Sequence, residues 1–243
     1  MFDYAELKSE YTQLWRSIEI RPEKRELVMR IARKLMRHKA QYLAVERRAG
    51  VPWFVVAALH NRESDADFAT YLGNGEPLDR KTTLVPKGRG PFDSWEAGAA
   101  DALALDGLDQ VKTWSPERAC FEIEKFNGFG YRKRGVHSPY LWSFSNHYAR
   151  GKYVADGRFS STHVDEQCGA IPILKAIMEL DDSARFRTNN SPVTKPITIT
   201  TILGGILGFL AHVFGPSPNA SAIIFVGIFF LAAVIYAFIR IRR

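Results

Sequence analysis

The chain has 243 residues, 46% of them hydrophobic and 24% charged, which fits one substantial domain with an appendage and excludes an intrinsically disordered chain. Its net charge of +7 is unevenly placed: Arg185, Arg187, Lys195, Arg240, Arg242 and Arg243 are the only charges of the last stretch, which leaves +1 for residues 1–184. A nearly neutral body argues against a nucleic-acid partner, and two cysteines, Cys120 and Cys168, are too few for a disulfide framework and read first as buried thiols, with a single bridge left open.

The opening MFDYAELKSEYTQLW is amphipathic and acidic, with no basic start and no apolar core, so it predicts a helix and no signal peptide. The spacing places helices over 3–19 and 23–48. In the second, Leu27, Val28, Ile31, Leu35, Tyr42 and Leu43 recur near helical spacing and mark the core face. Its other face carries Arg30, Arg33, Lys34, Arg37 and Lys39. That face reads first as a solvated one, second as a surface for anionic lipid or wall polymer. Residues 1–50 thus form a helical segment packed on the domain that follows.

Residues 52–63 predict a short buried helix with Pro52 near its first turn, where proline is tolerated. Residues 69–93 are rich in Gly and Pro, with Lys81 to Val85 as the one plausible strand. Ser94 caps a helix at 95–105, and Ser115-Pro116 opens another at 116–126. Asn127 to Tyr131 is a Gly-interrupted loop. Asp165 to Leu180 reads as the last amphipathic helix of the domain.

Residues 181–196 are a polar linker, after which the composition changes. Ile197 to Phe214 is 18 residues without a charge, Ser221 to Ile239 is 19, and GPSPNA lies between them. Each run approaches the ~20 residues that a membrane-spanning helix needs. Residues 197–239 therefore predict a transmembrane helical hairpin, with a basic tail at 240–243. Gly204 and Gly208 supply a small-residue packing face. Basic residues flank both outer ends, so the positive-inside rule gives a two-pass inner-membrane protein with its domain and C-terminus in the cytoplasm.

Glu63 ends the apolar run VPWFVVAALHNRE. An apolar helix beside a carboxylate disfavours its charge, and the helix C-terminus adds partial negative charge; both raise a pKa. A carboxylic acid that keeps its proton near neutral pH is what a glycosidase uses to protonate a leaving oxygen.

ALHNRES with Phe68, then NGEPL, TTLVPKGRGPFDSWE, FNGFGYR and SPYLWSFSNHYARGKYV, together resemble a phage and prophage endolysin group of the lysozyme-like superfamily, close to the lytic transglycosylases. The resemblance covers Val51 to about Glu179 and departs from the superfamily's Ala-Tyr-Asn-Ala-Gly segment, where Phe126 replaces the tyrosine. It implies a mainly α, α+β lysozyme-like fold with a small β-hairpin over 51–180. It also implies cleavage of the N-acetylmuramic acid to N-acetylglucosamine bond of peptidoglycan, with Glu63 as the catalytic acid.

The second catalytic group stays open among Asp65, Asp67, Glu76 and Asp79; Glu76 and Thr82 sit where phage lysozymes carry an acid and then a threonine. With a second carboxylate the reaction is an inverting hydrolysis; without one, the substrate's 6-hydroxyl attacks and leaves a 1,6-anhydro end, with Thr82 or Thr83 positioning the hydroxyl or the water. Ser64, Asn127, Tyr131, Tyr140 and Asn146 are candidates for sugar binding, since rings stack on sugar faces and amides pair with hydroxyls. His60, His137 and His147 lack metal spacing, and no phosphate loop or GxSxG elbow occurs, so no metal or cofactor is expected. The expected partners are peptidoglycan and, through residues 197–239, a lipid bilayer. An alternative from another class is a holin-like membrane permeabiliser that carries a non-catalytic wall-binding domain.

Overall fold

The computed structural model describes residues 2–155 and 157–186. Among them the fold is mainly helical: α1 (Tyr4–Ser17), α2 (Pro22–Met36), α3 (Lys39–Ala49), α4 (Trp53–Ser64), α5 (Trp95–Leu105), α6 (Pro116–Asn127), the single turn α7 (Pro139–Trp142) and α8 (Ala170–Leu180). One antiparallel two-stranded sheet, β1 (Lys152–Ala155) with β2 (Arg158–Ser160), completes it, in the register Lys152 to Ser160 and Tyr153 to Phe159.

α4 is the axis of the domain. Trp53 to Asn61 are buried without interruption, because this helix is apolar all round and has no face to offer water. α3 and α8 pack on it, α2 packs on α8, α3 on α5, and α1 on α6. The N-terminal helices are therefore part of the same core: Tyr11, Val28, Leu35, Tyr42 and Val45 join Val55, Leu59, Ile123 and Ile173 in one cluster. Cys120 and Cys168 are buried and free.

The helix starts follow local chemistry. Asp3 and Glu6 form a reciprocal capping box at α1. Ser94 Oγ accepts from the Ala97 amide at 3.2 Å, and Ser115 Oγ from the Arg118 amide at 3.3 Å.

Three expectations need correction. The stretch 23–48 is two helices: the chain turns at Arg37-His38, where the His38 ring packs 4.7 Å from Phe68 and Nδ1 meets Gln41 at 3.0 Å. No Gly or Pro marks that corner. Lys81 to Val85 is a loop, because the amides of Thr83 and Leu84 are taken by the Glu76 carboxylate and so cannot join a ladder. The sheet lies instead at Lys152–Ala155 and Arg158–Ser160. The last helix starts at Ala170, since Asp165 to Cys168 runs as a strap against the end of α4.

The predicted transmembrane hairpin at 197–239 and most of the linker lie outside the described residues. Among the described residues no helix is long and apolar enough to cross a membrane.

Candidate active site

The site is built from the C-terminal end of α4. Its cap is tight: Asp65 (φ 52°) and Ala66 (φ 60°) are both left-handed, and alanine rarely adopts that conformation. Their amides close onto Asn61 O at 3.1 Å and His60 O at 3.2 Å, and Lys34 Nζ caps Asp65 O at 2.7 Å. His60 fixes the same turn from inside. It is fully buried among Tyr42, Phe68 and Trp95, with Tyr42 Oη 3.1 Å from Nδ1 and Asp67 O 3.1 Å from Nε2. Burial pushes the imidazole down to about 4, so it is a neutral hydrogen-bonding strut at ordinary pH.

Glu63 sits one residue before the end of this helix. Solvent reaches its side chain, yet protein atoms crowd most of its surroundings. Burial holds the carboxyl above its ordinary value; the Tyr140 hydroxyl and the Arg62 guanidinium pull it down, and the Asp106 carboxylate pushes it up. Tyr140 Oη donates to Glu63 Oε1 at 2.5 Å.

Arg62 and Glu63 grip Tyr140 together. The Arg62 guanidinium lies 4.7 Å from the centroid of the Tyr140 ring, while Glu63 takes the hydroxyl. Arg62 itself is anchored elsewhere: it bonds Asp165 Oδ2 at 3.2 Å and the carbonyls of Gln167 and Cys168 at 3.2 Å. Lys152 closes on the other Asp165 oxygen at 2.9 Å, and Gln167 Nε2 caps the carbonyls of Asn61 and Arg62. The strap 165–168 thus keeps Arg62 from forming an ion pair with Glu63.

The other expected residues divide. Ser64 is half-buried beside Glu63, with its hydroxyl 3.4 Å from His60 O. Asn127 is exposed at the end of α6. Tyr131 is half-buried, accepts from the Tyr153 amide at 3.2 Å and packs edge-on against Tyr153. Asn146 uses its amide on the backbone of Glu19 (3.0 Å) and Ser17 (2.8 Å), so it pins the α1–α2 corner.

Glu76 and Thr82 both serve the 70–89 loop. Glu76 accepts from the Thr83 amide and hydroxyl, the Leu84 amide and Asn74, which holds its carboxyl below the usual range. The Thr82 hydroxyl donates to Pro86 O at 2.5 Å and accepts from the Arg89 amide at 3.0 Å. Asp65 is paired with Lys34, Asp67 caps the Ala69 amide, and Asp79 lies against Arg80. The charges acting on Glu63 come from Arg62 and Asp106 instead. Arg62 lies inside the run ALHNRES, but its bonds to the strap follow only from the tertiary structure. Asp106 has no sequence signal, since its charge acts on Glu63 from a position remote in sequence.

A cavity of about 380 Å³ at the opposite end of α4, against Trp53 and Trp114, is separate from this site. Among the described residues no group of His, Cys, Asp and Glu is arranged to hold a metal ion.

No family model, curated protein or solved structure matches the chain.

Proposed function

We propose that this chain is a membrane-anchored peptidoglycan-cleaving enzyme with a lysozyme-like catalytic domain, and that Glu63 is its general acid. One observation carries the reading: a carboxyl at a crowded helix end, open to solvent, held by a tyrosine hydroxyl and denied an ion pair. Such a group keeps a proton to higher pH than a surface glutamate and holds it in a fixed direction. The substrate is the glycan strand, cut between N-acetylmuramic acid and N-acetylglucosamine. Ser64, Asn127 and Tyr131 are the polar groups offered to its hydroxyls. The apolar runs of 197–239 are the bilayer anchor in this proposal.

The test is digestion of purified peptidoglycan sacculi by the full-length chain, followed by muropeptide analysis. New glycan ends are expected with the wild type and none with Glu63→Gln. Intact glycan after wild-type treatment, or equal cleavage by the variant, would overturn the reading.

A further inference from the structure

The domain's charge is segregated onto α2 and α3. Residues 21–48 hold ten basic and three acidic side chains, a net +7, while residues 1–184 together carry +1; the rest of that stretch is therefore −6. Val28, Met29, Ala32 and Leu35 are the buried face of α2. Arg30, Arg33 and Arg37 recur at i, i+3 and i+7, which puts them together on the opposite face, and all three are exposed. Charge pairing is thin on this stripe. Arg25, Lys34 and Lys39 each have a carboxylate within 3.1 Å. Among the described residues Arg30 and Arg37 have none, and Arg33 has only Glu26 at 4.0 Å, an exposed contact of little worth.

The stripe touches the candidate site. Lys34, between Arg30 and Arg37, donates to Asp65 O at 2.7 Å and to Asp65 Oδ2 at 3.1 Å, two residues beyond Glu63. Arg30 and Arg37 stand about one turn to either side of Lys34, ~4.5–6 Å along the axis. A ligand held on the stripe is thus held beside the turn that follows Glu63. The sugars of a glycan strand offer such a surface little charge. The free carboxylates of peptidoglycan belong to the short peptides that branch from it. In an extended peptide, carboxylates three residues apart span ~10 Å, the axial separation of Arg30 and Arg37. Guanidinium forks match carboxylates in shape as well as charge.

We propose that Arg30, Arg33 and Arg37 form a recognition surface for the carboxylates of the peptides that branch from the glycan, apart from the residues offered to the sugars. This rests on peptidoglycan as the substrate and Glu63 as its acid. No bond is made or broken on the stripe. It lowers KM by holding the acidic branch while the strand lies at Glu63, and salt weakens its hold. Anionic phospholipid is the competing partner for a basic helix face. The contact of Lys34 with the turn after Glu63 favours a partner that is part of the substrate.

The experiment compares the full-length chain with a variant carrying Arg30→Gln, Arg33→Gln and Arg37→Gln. Glutamine has a helix propensity close to that of arginine, and none of the three positions is buried, so the fold is expected to hold. On glycan strands that keep their peptides, KM is expected to rise about 3–10-fold in the variant at unchanged kcat. On the same strands with every peptide carboxylate converted to its methylamide, both proteins are expected to share the higher KM. Equal KM for the two proteins on native strands would overturn the proposal, as would a wild type indifferent to methylamidation or a variant still the weaker on methylamidated strands. An unchanged KM, with the three arginines shielded from phenylglyoxal by vesicles of anionic phospholipid, would make the stripe a lipid surface instead. Binding of both kinds of strand by Glu63→Gln separates the two readings. A wild type that cuts no glycan defeats the Glu63 reading, whereas binding that ignores the peptide carboxylates defeats the peptide surface alone.

Discussion

Among the described residues two tyrosine hydroxyls donate to glutamates, and the surroundings of the two pairs differ. Tyr140 donates to Glu63 near the end of α4; Tyr11 donates to Glu124 in the core. Glu124 is 2% exposed and also receives Arg132 Nη2 at 3.0 Å, while Arg132 reaches on to Glu10 at 2.8 Å. That pair is closed by a cation, and it ties α1 to α6. Glu63 has an arginine as its neighbour in sequence, yet Asp165 and two carbonyls hold that guanidinium away. The same two side chains make a structural joint where a cation completes them; where none pairs with the glutamate, burial holds its carboxyl above the ordinary value.

The largest expected effect exploits that contrast. Glu63→Gln should lower glycan cleavage by ~10²–10⁴-fold, the usual worth of a general acid, with little change in folding. Glu124→Gln should do the reverse. It removes the charge from two charge-assisted bonds in the core, at a cost of about 2–3 kcal/mol, while the folded fraction keeps its kcat. Denaturant unfolding and muropeptide release, measured on both variants, check the exchange. If Glu124→Gln loses kcat at full stability, the two pairs are not separable in this way.

The next effect tests what keeps Arg62 apart from Glu63. Arg62→Met should destabilise the domain by about 2 kcal/mol, less than a fully broken buried pair, because Asp165 retains Lys152. A thermal midpoint lower by roughly 4–8 °C would be the sign of it. The guanidinium also lowers the Glu63 pKa, so its removal should move the alkaline limb of the pH–activity profile upwards.

How much of this was legible beforehand depends on range. The buried helix of α4, the Ser94 and Ser115 caps and the raised carboxyl at position 63 follow from local patterns, since each is decided within a few residues. The corner at His38 was not, because Phe68 and Gln41 make it and no breaker residue announces it. Glu76 looked like a cleft acid from its place in the order of motifs. Only the loop's own amides show that its oxygens are taken. Tyr140 was readable as a sugar-stacking ring but not as the donor to Glu63, a contact that spans 77 residues. The strap residues Asp165 and Gln167 are of the same kind.

Tyr140→Phe isolates the hydroxyl while keeping the ring under Arg62. The Tyr140 hydroxyl favours the ionised form of Glu63, so its loss should raise the acid's pKa and carry the alkaline limb to higher pH. The rate at the optimum should fall about tenfold, the equivalent of one hydrogen bond that no longer fixes the carboxyl's direction. An unmoved limb would mean that the hydroxyl does not bear on the titrating group.

The smallest effect concerns stability and its sign. Burial raises the folded pKa of Glu63 above its unfolded value. The protonated carboxyl therefore favours the fold: its contribution is complete below the unfolded pKa and is lost as pH rises through the folded one. Glutamine stays neutral throughout. Glu63→Gln should accordingly match the wild type in thermal midpoint at pH below the ordinary carboxylate range and exceed it at neutral pH and above. Solvent reaches this carboxyl, so the gain should stay under about 1 kcal/mol, or roughly 2–4 °C. Glu124→Gln should instead lower the thermal midpoint, because it weakens the bonds from Tyr11 and Arg132. Parallel melting curves for both variants would then separate an acid held for chemistry from one held for structure, without any substrate present.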